Sequence, residues 1–106
     1  MFDLPEIVQV GAVTYQIKLA ESPVELSLIG DYRGHSDLVG QMIILSPQGE
    51  DSMKDSLLHE ILHCCWAESK LETQGDTDET VINRITPWLL DTLKRNPEVA
   101  DFLFGD

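Results

Sequence analysis

The chain has 106 residues, of which 42% are hydrophobic and 25% charged, and we expect residues 1–106 to form one globular domain. Its 19 acidic and 7 basic residues give a formal net charge of -12. Because phosphate backbones and anionic lipid headgroups repel such a chain, we expect neither nucleic acid nor a membrane as a partner.

The sequence also indicates a cellular compartment. The stretch from Met1 to Glu6 has neither the basic start nor the apolar run of a signal peptide. No stretch approaches the roughly 20 apolar residues that span a bilayer. The only cysteines, Cys64 and Cys65, are adjacent and poorly placed to bridge each other. We therefore expect a cytoplasmic protein.

The first half of the chain shows the two-residue periodicity of strands. Residues 7–19 predict a hairpin. Residues 26–29 predict a further strand, and residues 34–40 predict a polar loop between two glycines. A short apolar strand then begins at Gln41 and ends at Leu45.

The second half predicts helices. Apolar residues recur at helical spacing in residues 48–69 and again in residues 78–95, where Pro87 predicts a kink or a lost hydrogen bond. Residues 98–104 predict a short C-terminal helix. Strands followed by helices indicate an α+β fold, in which two main helices pack on a small, mostly antiparallel N-terminal sheet of three or four strands.

The first long helix contains the sequence His59-Glu60-Ile61-Leu62-His63. Residues four apart on a helix lie on one face, so His59 and His63 can bind one metal ion through their ring nitrogens. Glu60 lies one step round the helix, where it can reach a water on that ion and act as a general base. The H-E-x-x-H spacing therefore predicts a zinc-dependent hydrolase. The alternative is an apolar helix that carries two histidines by accident.

A catalytic zinc site usually takes three protein ligands and leaves the fourth position to water. The downstream acidic candidates are Glu68, Glu72, Asp76, Asp78 and Glu79. The first two lie on or just beyond the motif helix, too far along it to reach the histidines. The two aspartates fit helix caps, which is their commoner role. Glu79 lies in the first turn of the next helix, where a glutamate also complements the helix dipole. The spacing alone leaves the third ligand open.

Four further residues could take part in such a site and need an interpretation. Tyr32 and His35 are candidates for stabilising the oxyanion of a hydrolysis reaction, although a lone loop histidine is more often only solvated. Cys64 and Cys65 follow the motif directly. We expect both to be small packing residues, since Cys64 points away from the histidine pair.

The sequences LLHEILH and ETVINRITPWLL together resemble the ImmA/IrrE-type zinc metallopeptidases, and especially the small single-domain zincin-like proteins of phages and mobile elements. The resemblance implies a minimal zincin-like fold with Zn²⁺ bound by His59, His63 and Glu79, in the gluzincin manner. It implies Glu60 as the general base, and the host cytoplasm as the location if the gene is phage encoded.

The same resemblance implies a protein or peptide substrate that adds as an extended strand to the edge strand before the motif helix, predicted from Gln41 to Leu45. The expected function is zinc-dependent peptide-bond hydrolysis by a minimal metallopeptidase. The alternative is a non-hydrolytic zinc-binding module used in phage assembly or host takeover. A structural zinc site is closed by four protein ligands, and only three are indicated here, which favours an open site.

Overall fold

Strands precede the main helices along the described part of the chain, as the sequence predicts for an α+β fold. The structure is a computed structural model that describes residues 3–30, 32–70 and 78–105, without the side chains of residues 78 and 79. Its elements are β1 (Ile7–Val10), β2 (Val13–Leu19), α1 (Pro23–Ile29), β3 (Gly34–Asp37), β4 (Met42–Leu45), α2 (Glu50–Glu68), α3 (Asp78–Arg95) and α4 (Pro97–Phe104).

The strands form one mixed sheet in the order β1-β2-β4-β3. The predicted hairpin is confirmed as the antiparallel pair β1 and β2. β2 runs parallel to β4, and β4 pairs antiparallel with β3. Two of the three pairings are therefore antiparallel, as expected for a mostly antiparallel sheet.

The position of the predicted edge strand is wrong. The strand expected from Gln41 to Leu45 exists as β4, but it lies between β2 and β3. The two edge strands of the sheet are β1 and β3. The edge strand packed more extensively against α2 is β3, which falls within residues 34–40, the segment predicted as a loop. The sequence of β3, GHSD, has no apolar alternation, so its strand conformation depends on pairing with β4 rather than on a local pattern.

The strand predicted for residues 26–29 is also wrong, because this segment belongs to helix α1. The Glu25 backbone N–H donates to Ser22 Oγ at 3.1 Å, and the Ser22 N–H donates to Glu25 Oε1 at 3.2 Å. This reciprocal pair is a capping box, and Pro23 suits the first position of a helix. These start signals outweigh the strand propensity of the short apolar run that follows.

The main core lies between one face of the sheet and helices α2, α3 and α4. Ile43 and Leu45 of β4 pack there with Leu57 and Ile61 of α2. A smaller cluster on the opposite face contains Ile29 of α1. Because Leu57 and Ile61 face the sheet, the intervening His59 is directed outwards.

Helix α3 spans residues 78–95, as predicted, and it continues across Pro87 with the loss of one backbone donor. Its end is fixed to β1 by Asn96, whose Oδ1 accepts from the Gln9 N–H at 2.8 Å and whose Nδ2 donates to the Gln9 carbonyl at 2.8 Å. The predicted C-terminal helix is confirmed as α4. Among the described residues, no helix combines the length and apolar character that crossing a membrane requires.

Candidate metal centre

The two motif histidines converge on the exposed side of α2. The Nε2 atoms of His59 and His63 lie 3.1 Å apart. Two nitrogens bound tetrahedrally to zinc at about 2.0–2.1 Å would lie roughly 3.3 Å apart. The two Nε2 atoms are therefore separated by nearly the distance that two zinc ligands would have.

The histidine pair is also compatible with a metal-free state. A separation of 3.1 Å fits a hydrogen bond from a protonated ring nitrogen of one histidine to an unprotonated nitrogen of the other. The ring planes are inclined at 75°, with centroids 4.8 Å apart, so the contact is edge-on rather than stacked. A bound ion would replace the shared hydrogen.

Glu60 is buried on the sheet side of the histidine pair. Only 6% of its surface is exposed. Ser36 Oγ donates a hydrogen bond of 2.7 Å to Glu60 Oε1 and lies 3.3 Å from the Glu60 carbonyl oxygen. On α2 the two histidines of the motif are therefore exposed, as metal ligands would be. The carboxylate is buried and held against β3, as a positioned base would be.

A cleft of about 570 Å³ brings these three side chains to one surface. One wall is the face of α2 that carries His59, Glu60 and His63, and it continues to Trp66. The other wall is formed by residues 32–36, which comprise the two residues before β3 and the first three residues of that strand. Two of the predicted ligands, His59 and His63, and the predicted base therefore share a cleft with the edge strand β3.

Tyr32 and His35 both border this cleft, but Tyr32 is exposed, whereas the ring of His35 is directed away from Glu60. Tyr32 is 80% exposed. His35 is paired with Ile44, which packs with Ile29 on the opposite side of the sheet from Glu60. Because side chains alternate along a strand, the His35 ring is directed to that opposite face. Tyr32 is thus the better placed candidate for contact with a substrate.

Glu68, one of the candidate third ligands, is engaged elsewhere. The Tyr15 hydroxyl donates to Glu68 Oε2 at 2.6 Å, and Tyr15 is completely buried in the core. Glu68 is absent from the residues that line the cleft. This carboxylate fixes the end of α2 to β2 and is not available to the histidine pair.

The other candidate ligands cannot be compared by geometry. Glu72 and Asp76 lie outside the described residues. Asp78 and Glu79 are the first two residues of α3, and their side chains are likewise outside the description. Among the side chains that are described, no group of three histidines, cysteines or carboxylates could hold a metal ion. Glu79 as the third ligand therefore stays a prediction.

The two cysteines are packing residues, as predicted. Both are completely buried. Burial raises the pKa of the Cys64 thiol to about 12 and also raises the pKa of Cys65, whose Sγ lies 3.6 Å from Thr92 Oγ1. Because zinc binds the thiolate form, protonated and buried thiols are poor ligands.

No family model, curated protein or solved structure matches this chain. The resemblance to ImmA/IrrE-type metallopeptidases therefore stays a prediction made from the two helical motifs. The burial of Glu60 and its hydrogen bond from Ser36 are a separate observation, made from the fold.

Gly34 and Ser36 contact Glu60 but were not found from the sequence. They lie 26 and 24 positions before it, on a strand that was predicted as a loop. The only available signal was the alternation of two small residues around His35. Such alternation places both small residues on one face if the segment is a strand, but it does not show what that face contacts.

Proposed function

We propose that this chain hydrolyses peptide bonds with one zinc ion, held by His59, His63 and Glu79. The observation that carries the proposal is the convergence of two Nε2 atoms, 3.1 Å apart, in a cleft that also contains the Glu60 carboxylate. When bound, zinc supplies a Lewis acid that makes water nucleophilic near neutral pH and polarises the substrate carbonyl.

Glu60 is the general base in this proposal. It takes a proton from the attacking water and passes it to the leaving amine. Its Oε1 accepts the Ser36 hydrogen bond, so Oε2 is the oxygen assigned to proton transfer. Burial in the cleft wall restricts the access of this carboxylate to bulk water.

The substrate is proposed to be an extended segment of a protein or peptide that adds to β3. As an edge strand, β3 has one side on which none of the described strands is paired. Main-chain hydrogen bonds on that side would lay the substrate beside the cleft. This replaces β4, the strand expected from the sequence, because both sides of β4 are already paired.

Glu60→Gln tests the reaction because glutamine preserves the size of the side chain but cannot accept the proton. The zinc content of the purified variant should equal that of the parent, since Glu60 is not a ligand. Hydrolysis of an unbiased peptide library should fall by roughly 10²–10⁴-fold. Glu50→Gln, at an exposed position in the first turn of the same helix, is the matched control and should retain full activity.

Two results would contradict the proposal. Full activity in Glu60→Gln would remove the assigned base. Zinc bound to the parent with no detectable hydrolysis of the library would favour the non-hydrolytic zinc-binding module instead.

A further inference from the structure

We infer that Gly34 and Ser36 of β3 are positioning residues that hold the Glu60 carboxylate in one orientation at the cleft wall. The inference deepens the proposed hydrolysis, since Glu60 is its base. It is carried by contacts of both residues with the Glu60 side chain and not by the metal.

Ser36 supplies the polar contact. Its hydroxyl donates to Glu60 Oε1 at 2.7 Å. A carboxylate that is only 6% exposed needs a donor to replace lost water, and Ser36 provides one. The same Oγ lies 3.3 Å from the Glu60 carbonyl oxygen, so one hydroxyl is placed against both the backbone and the side chain of the base.

Gly34 supplies the space. A Cβ atom at this position would lie 3.1 Å from Glu60 Oε2, 3.2 Å from Glu60 Cγ and 2.9 Å from Leu45 Cδ2. Any side chain at this position would therefore press on the Glu60 carboxylate and on the Leu45 side chain. Glycine lets β3 approach α2 closely enough for Ser36 to reach Glu60.

The register of β3 explains why the two residues act together. Gly34 is paired with Leu45 and Ser36 with Ile43, and both partners lie in the core that α2 covers. Residues two apart on a strand face the same side, so Gly34 and Ser36 both face Glu60. The strand that holds the base is also the free edge to which we propose the substrate adds, so binding and positioning use one element.

The experiment measures the Glu60 side-chain rotamer by NMR couplings in the full chain after zinc removal. The parent should show one rotamer, and Ser36→Ala should show averaged couplings. Ser36→Thr keeps the hydroxyl and should restore the single rotamer. Ser27→Ala, at an exposed position on α1, is the matched control. If Ser36→Ala does not fold, Gly34→Ala is measured in its place, and its Glu60 couplings should differ from those of the parent because the added Cβ displaces the side chain.

Kinetics of the zinc-loaded protein give the second readout. Ser36→Ala should lower kcat by about 10-fold to 100-fold with KM unchanged, because misplacing a catalytic group reduces the rate without weakening substrate binding. A single parent-like rotamer in Ser36→Ala, or an unchanged kcat, would overturn the inference. If the parent has no peptidase activity, the proposed function fails separately, and the rotamer comparison still decides whether Ser36 holds Glu60.

Discussion

Substituting Tyr15→Phe tests how the motif helix is fixed to the sheet. The Tyr15 hydroxyl donates to Glu68 Oε2 at 2.6 Å, and the Tyr15 ring is completely buried. Phenylalanine keeps the ring and its contacts in the core. The change therefore removes the hydrogen bond between β2 and the end of α2, together with the contact of the hydroxyl with the Cys64 side chain.

The expected loss follows from the partners of that bond. A hydrogen bond to an ionised group contributes about 1.5–3 kcal/mol. Glu68 is only partly buried, so water can solvate its carboxylate when the hydroxyl is gone, and the loss falls to about 1–2 kcal/mol. For a domain of this size, the melting midpoint should fall by roughly 4–8 °C per kcal/mol.

The pH dependence gives a second signature. Burial, and then the hydrogen bond to Glu68, raise the pKa of Tyr15 above its ordinary value of 10.0. The folded protein therefore keeps a proton that the unfolded chain releases. This contribution to stability is fully present below about pH 10 and is lost as the pH rises towards the higher folded pKa. Tyr15→Phe lacks this contribution, so its stability should depend less on pH above 10.

Urea denaturation of the chelated proteins at pH 7, and between pH 8 and 11, measures both effects. Tyr32→Phe is the control, since Tyr32 is 80% exposed and its hydroxyl lies outside the core. Combining Tyr15→Phe with Glu68→Gln should cost less than the sum of the single changes. A Tyr15→Phe protein as stable as the parent at pH 7, or an unchanged alkaline slope, would refute the reasoning.

The remaining predictions concern the metal and one close approach of the backbone. Glu79→Ala should weaken zinc binding in a competition titration, whereas Asp78→Ala should not; equal losses would remove Glu79 as the ligand. Chelation should lower the melting midpoint, because zinc that binds only the native state stabilises it by about 2.7 kcal/mol when the free zinc concentration is 100 times Kd. An unchanged midpoint would count against a native zinc site. Gly11→Ala should destabilise the fold by about 2–4 kcal/mol in urea denaturation, because Gly11 has φ +61° and a Cβ would lie 2.7 Å from Trp88 Cζ3. Gly49→Ala, with no atom within 4 Å of the added Cβ, is its control, and equal losses would contradict the steric explanation.

The fold shows where local sequence signals mislead. The apolar residues 26–29 predicted a strand, yet the capping box formed by Ser22 and Glu25 starts a helix there. The capping-box signal was present in the sequence, and in the fold it prevails over the strand propensity of the apolar run. The four residues of β3 carried no such signal, because a short polar strand acquires its conformation from its neighbour in the sheet.

The sequence by itself determined the relative position of His59 and His63, because four residues along a helix bring two side chains to one face wherever that helix lies. It also determined the span of α3, residues 78–95, from the periodicity of its apolar residues. Only the tertiary structure decided that β3, and not β4, is an edge strand of the sheet. It alone placed Ser36 against Glu60 across 24 residues of sequence, and joined Glu68 to a tyrosine 53 residues away. The physical reason is that a helix fixes neighbours through local backbone geometry, whereas these contacts arise when distant segments bury their apolar faces together.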